Sequence, residues 1–290
     1  MRKNVIRTFL WAALCVFLPG CTGLFFYPQQ KHVLTPADLG LNYESIYFES
    51  ADKTLLHAWL LKAQGAPRGT VVFLHGNAEN VSTHIASVYW LPQYGYHVFM
   101  LDYRGYGRSA GRAEINGIHE DAAAAIRYVR ERSELQVLPV VLYGQSLGGA
   151  VALYAAADPV NKSGLAGVIA ESAFSGYREI VKEKLASTWL TVLLQYPLAL
   201  LFEDSFSAAG FVAEIYPLPV LFIHGTNDKI VSASHSSVLY RAAKEPKELW
   251  LIPGGGHIGA GGFREYRRRL VEFLARLPIC RETDQLLLGL

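Results

Sequence analysis

Hydrophobic and polar positions along the chain fall into two alternating rhythms. Residues 45–50 and 55–61 alternate apolar with polar positions, as half-buried strands do. Residues 70–74, 96–101, 139–143, 165–170, 219–223 and 248–252 are short, continuous apolar runs rich in β-branched residues. Such runs predict strands buried on both faces. Between them lie segments with helical character: 80–91, 115–130, 147–157, 234–243 and 263–277. The stretch 115–130 holds Ala122 to Ala125, strong helix formers. Strand and helix alternate from residue 70 onward. This predicts an α/β fold, a mostly parallel central sheet flanked by helices on both faces. Right-handed crossovers then collect the strand C-termini on one sheet edge.

One stretch breaks the rhythm. Residues 175–215 exceed what one connection needs, and they include an apolar run, 189–202, interrupted by Pro197. We read them as a helical cap inserted into a single domain of residues 41–280, with 281–290 as a tail.

The N-terminus has a different pattern. Arg2, Lys3 and Arg7 precede an uncharged apolar run, 9–18, too short to span a bilayer comfortably. That is the layout of a secretory signal. The run ends in Leu18-Pro19-Gly20-Cys21, which resembles the lipobox of bacterial lipoproteins, with Pro19 where a small residue is usual. The resemblance implies a signal peptide over 1–20, a lipid on Cys21, a linker or anchor over 21–40, and export to a bacterial cell envelope with the membrane as a partner. The plainer reading is an ordinary signal peptide or an uncleaved anchor. Cys15 would leave with the signal and Cys21 would be acylated, so Cys280 would have no disulfide partner.

Composition narrows the function. The chain has 290 residues, is 51% hydrophobic, and carries a formal charge of +2. A basic stripe is missing; Arg267 to Arg269 read as the solvated face of a terminal helix, so nucleic acid is not an expected partner. The nine histidines show no metal-ligand spacing, and no cofactor is expected.

The chemistry gathers at predicted strand ends. Gly144-Gln145-Ser146-Leu147-Gly148 matches G-x-S-x-G between a predicted strand and a predicted helix. There a sharp turn presents a serine nucleophile at a helix N-terminus. A serine needs a base, and the base needs an orienting acid. His257 lies in a glycine-rich loop after residues 248–252 and is the expected base. His224 is expected to pack or cap, His235 to be solvated or capping, and His75 to pack its own loop. Asp228 is the only carboxylate in the loop after 219–223 and is the expected acid. Glu248 precedes its strand and points to the wrong end. The N–H groups of Leu147 and Asn77 are the expected oxyanion hole.

These stretches, with Asp102-Tyr103-Arg104-Gly105-Tyr106-Gly107-Arg108-Ser109, resemble the α/β-hydrolase superfamily. They are most similar to its serine aminopeptidase S33-type and Bem46-like groups. The resemblance covers residues 71–275 and implies the fold and the triad, not a substrate. Arg104 is expected to pair with a carboxylate and shape the floor of the site. The expected activity is hydrolysis of ester, thioester or amide bonds of a small, apolar molecule through an acyl-enzyme on Ser146. The alternative is an S33-type aminopeptidase acting on peptides, with Glu183, Glu203 and Asp204 to hold the substrate amine. A third reading is a non-catalytic, lipid-anchored binding protein.

Overall fold

The computed structural model describes residues 25–187 and 189–277. The signal segment 1–20, Cys21, Cys280 and the tail 281–290 therefore lie outside the described residues. Eight strands form the main sheet: β1 (Tyr43–Glu49), β2 (Leu55–Leu61), β3 (Gly69–Leu74), β4 (Tyr96–Asp102), β5 (Val140–Gln145), β6 (Leu165–Glu171), β7 (Val220–Gly225) and β8 (Lys247–Ile252). Their spatial order is β8-β7-β6-β5-β3-β4-β2-β1. β2 runs antiparallel to both of its neighbours, and every other pairing is parallel.

Both faces are covered, as the continuous apolar runs require. Along β3, Val72 and Leu74 join one core cluster, and Val71 and Phe73 join the other. Side chains alternate across a strand, so four consecutive apolar residues serve two cores. The first cluster takes in the inner faces of α1 (Ile115–Glu131) and α2 (Leu147–Ala157). The second takes in Leu270, Phe273 and Leu274 of the C-terminal helix. Between them in sequence come α3 (Tyr177–Ala186) and α4 (Ser234–Ala242), before that last helix, α5 (Arg264–Arg276).

Two departures from the sequence pattern matter for the site. The helix expected over 80–91 is broken into a turn of α-helix, Val81–His84, and two 3-10 turns, Ile85–Ser87 and Leu91–Tyr94. Side chains compete for its turn carbonyls: Thr83 donates to Asn80 O and the Trp90 indole to Ser87 O. Secondly, the stretch expected to be a linker is packed from Phe25 onward. Tyr27–Pro28 pairs in parallel with Ala78–Glu79, just after β3. Between β6 and β7 the chain forms α3, the short helix Gln195–Ala199 and several 3-10 turns.

Candidate active site

β5 ends at Gln145, and α2 begins two residues later. Ser146, between them, holds φ +54° and ψ −114°, a backbone conformation that non-glycine residues rarely adopt. The turn is tight because both flanking glycines are needed. A Cβ on Gly144 would lie 2.0 Å from Gly148 O, and one on Gly148 would lie 2.0 Å from Leu74 O. The sharp turn sets the serine in the wall of a cavity of about 490 Å³. Leu147 is the first residue of α2, so its N–H has no intrahelical acceptor and the helix dipole favours negative charge beside it.

The loop after β7 brings Asp228, and the loop after β8 brings His257. His257 Nδ1 lies 2.7 Å from Asp228 Oδ2. The carboxylate only accepts, so Nδ1 carries the proton and Nε2 keeps its lone pair. Ser146 and His257 line the same cavity. The Asp228 side chain is fully covered, and four donors saturate it. Oδ1 accepts from the N–H groups of Ile230 and Val231, at 2.8 and 3.0 Å. Oδ2 accepts from His257 and, at 3.2 Å, from His224 Nε2. Burial pushes this carboxyl up, but the hydrogen bonds from His224, His257 and the two backbone groups outweigh it. They hold it well below the usual carboxylate range.

His224 is thus more than a packing residue. Its Nε2 also meets Val231 O at 2.9 Å, and its Nδ1 meets Ser236 Oγ at 2.6 Å. Both neighbours of Nε2 are acceptors, so Nε2 is the protonated nitrogen and Nδ1 accepts from the hydroxyl. His235, expected to be solvated or capping, is buried instead: its Nδ1 faces Ser175 and its Nε2 faces Glu183, at 3.1 Å. His75 is wholly buried on its own loop, with Nδ1 2.7 Å from Gly76 O. Burial and the adjacent His84 push it down to about 3.

Asn77 lines the cavity after β3, and a Cβ on Gly76 beside it would stand 3.6 Å from Ser146 Cβ. The loop is held from outside by residues 25–33. The Asn77 side-chain amide donates to Phe25 O at 2.5 Å, and its carbonyls accept from Tyr106 and from the Tyr27 N–H. The Asn80 amide donates to Gln29 O and Lys31 O. Phe25 and Tyr27 also line the cavity, so this strap is both clamp and wall. No motif signalled it, because its contacts are mostly to backbone groups.

Asp102 closes the strap. Its Oδ2 meets His32 Nε2 at 2.9 Å and His57 Nδ1 at 2.8 Å, and its Oδ1 accepts from Val81 N–H at 3.1 Å. These three side chains bring ligand atoms within 4.8 Å of one another, a grouping that the sequence spacing did not reveal. A metal could use such a set. Oδ2 also accepts from the Arg108 N–H, at 3.3 Å, and we read the group as a hydrogen-bonded lock. Burial pushes the Asp102 carboxyl up, but the hydrogen bonds from His32 and His57 win and hold it below its ordinary range. Arg104 does pair with a carboxylate, Asp121, at 2.8 Å, and with Asp52. It lies off the cavity lining, so it braces α1 rather than the floor of the site.

The acidic residues weighed for amine binding are engaged elsewhere. Glu183 meets His235 and Ser232, Asp204 meets Ser207 and Arg178, and Glu203 meets Ser205. None of the three lines the cavity, whereas Lys184 does. Glu248, set aside as pointing to the wrong end, meets Trp250 and Arg276. Glu171, which sequence reasoning missed, is buried under Ser146. It accepts from the Tyr143 hydroxyl, the Gln145 amide and the Ala260 N–H.

The comparisons with known proteins agree with this geometry. The family model for serine aminopeptidase, S33, matches residues 65–204. The YfhR protein of Escherichia coli strain K12 is 35% identical over 274 residues, covering 90% of each chain. The Arabidopsis thaliana alpha/beta hydrolase domain-containing protein WAV2 is 31% identical over 286 residues, covering 93% of this chain and 89% of that one. Among solved structures, the Pyrococcus furiosus esterase Pf2001 superimposes with a TM-score of 0.72 at 21% identity, covering 87% of this chain and 98% of that one. With relatives above 30% identity over nearly their whole length, and with this strand order, the chain belongs to the α/β-hydrolase family.

Proposed function

We propose that the protein is a serine hydrolase that cleaves ester, thioester or amide bonds of a small, apolar substrate through an acyl-enzyme on Ser146. The observation that carries this reading is the Nδ1–Asp228 bond of His257, which leaves Nε2 free to take a proton in the cavity that Ser146 lines. Ser146 Oγ attacks the carbonyl carbon as its proton passes to His257. Asp228 stabilises the imidazolium that results. The oxyanion rests on the N–H groups of Leu147 and Asn77. His257 then protonates the leaving group. It next deprotonates a water that attacks the acyl-enzyme, releasing the carboxylic acid and restoring Ser146.

The cavity wall supports an apolar substrate: Phe25, Phe174, Ile180, Ile230, Val231 and Ile258 surround the serine. None of the three carboxylates weighed for the aminopeptidase alternative lies at this wall, where the acidic side chain is Glu79 instead. We also propose that the chain is exported and held to a membrane by a lipid on Cys21. Mass spectrometry of the mature N-terminus tests this, and an unmodified Cys21 would refute it.

A fluorophosphonate probe should label the wild type and leave Ser146→Ala unlabelled. An unlabelled wild type would overturn the serine assignment. Faster turnover of aminoacyl anilides than of p-nitrophenyl esters would favour the aminopeptidase.

A further inference from the structure

The cap carries an apolar face that the hydrolase reading does not use. Between positions 189 and 201 the sequence has no charged residue. Trp189 and Leu193 are each 87% exposed, and Tyr196 and Leu200 are each 66% exposed. Leu190 and Leu201 are exposed as well, while Ala199 is fully buried. The segment is tied down at its base, where Arg178 donates to Phe202 O and to Asp204. Its bulky apolar side chains nevertheless point away from the core. Contiguous exposed apolar surface of this kind marks an interaction site.

The course of the chain says what covers it. Phe25 packs against Phe202, at the end of this segment, with ring centroids 6.0 Å apart. Cys21 stands only four residues earlier, which is at most about 14 Å of extended chain. The uncharged run 9–18 lies upstream of it. Whatever membrane holds either of these segments must therefore lie close to Phe25, and so beside Leu200 and Leu201. A second copy of the chain would cover the face but would not take up the upstream residues. The cavity reaches this side too, since Phe25, Tyr27 and Ile180 of α3 form part of its wall.

We propose that the cap face around Trp189 and Leu193 docks on a lipid bilayer, and that the substrate is an acyl ester drawn from that bilayer into the cavity. Indole and phenol rings favour the headgroup level, and leucines favour the layer beneath. Each apolar side chain removed from water adds to the affinity of the face for the bilayer. Docking rests on the exposed face together with the proposed membrane attachment upstream of Phe25, and the choice of substrate rests on the serine-hydrolase reading.

The test uses the full chain on vesicles of phosphatidylethanolamine and phosphatidylglycerol, with plain or brominated acyl chains. The Trp189 signal is the difference between wild type and Trp189→Phe, which cancels the other indoles. It should shift to the blue on plain vesicles and be quenched on brominated ones. An unshifted, unquenched signal would overturn docking. So would a shift that follows protein concentration without lipid, which would mean a second copy. The double variant Trp189→Glu, Leu193→Glu should keep its rate on a soluble p-nitrophenyl ester. On a long-chain acylglycerol embedded in vesicles it should lose at least about 10-fold. Equal rates on both substrates in the variant and the wild type would overturn the substrate assignment. If even the soluble ester is not cleaved by the wild type, the serine-hydrolase reading fails, while Trp189 quenching still decides docking.

Discussion

At the scale of single residues, the site depends on how one carboxylate is saturated. Asp228 takes His257 and His224 on one oxygen and two backbone N–H groups on the other. Asp228→Asn would present an amide to Nδ1 and favour the wrong tautomer of His257. We expect kcat to fall by about four orders of magnitude with little change in KM, measured on a soluble ester. We expect His224 to act through Asp228, as a positioning residue. His224→Gln should lower kcat by about 10-fold at unchanged KM, because one charge-assisted bond to the acid is worth about 1.5–3 kcal/mol. A variant that lowers only stability, leaving kcat intact, would deny His224 that role. Ser146, Asp228 and His257 could be picked out in the sequence because each sits just past a strand end, where chain order and loop glycines identify it. His224 could not, because its role depends on the Val231–Ser236 turn folding back over it. Glu171 was equally hidden: it ends an apolar strand and carries no motif.

At the scale of elements, the six continuous apolar runs marked β3 to β8 to within two residues, since burial on both faces leaves a continuous signature. The alternating segment 55–61 matched β2 in its bounds, but β2 is not half-buried: residues 56–61 are all covered, because its side chains feed both cores. β1 began two residues earlier than its alternation indicated. The strap was illegible for a physical reason. It is bound through main-chain carbonyls and N–H groups that any sequence possesses. Asn80 makes more of these bonds than any other side chain. It donates to Gln29 O and Lys31 O and caps the turn Val81–His84 by accepting from Ser82 N–H. Asn80→Ala removes the cap and both bonds to the strap, and should cost about 1–3 kcal/mol. Amide hydrogen exchange should then quicken at Tyr27 and Gln29, whose N–H groups bond Asn77 O and Glu79 O. Unchanged protection there would show that the strap holds without Asn80. Phe25 belongs to the same element but governs shape. Phe25→Ala should enlarge the cavity and move ester preference toward bulkier acyl groups, as read from kcat/KM across a chain-length series.

At the scale of the whole molecule, buried titratable groups set the response to acid. His75 and His119 are both pushed down to about 3, chiefly by burial. His119 shares a hydrogen bond with the Tyr177 hydroxyl, stacks on Phe206, and has no partner for Nδ1. A charged ring there would bury an N–H without an acceptor, which is why the proton is refused. In the unfolded chain both rings titrate near the ordinary value of about 6.5. Below that pH the unfolded state binds protons that the folded state does not, so stability falls as pH falls. Each ring contributes a slope of about 1.4 kcal/mol per pH unit, until its folded form titrates near 3. Asp102 and Asp228, held below the usual range, add their losses only below about pH 4, where unfolded carboxylates take up protons. Acid destabilisation should therefore begin near neutrality, through histidines, before the losses at Asp102 and Asp228 set in. Urea unfolding at a series of pH values checks this. His119→Phe should flatten the decline between pH 6 and 4 by about 1.4 kcal/mol per unit, whatever its effect on absolute stability. If the variant and the wild type decline in parallel, His119 is not the buried neutral ring that its surroundings require.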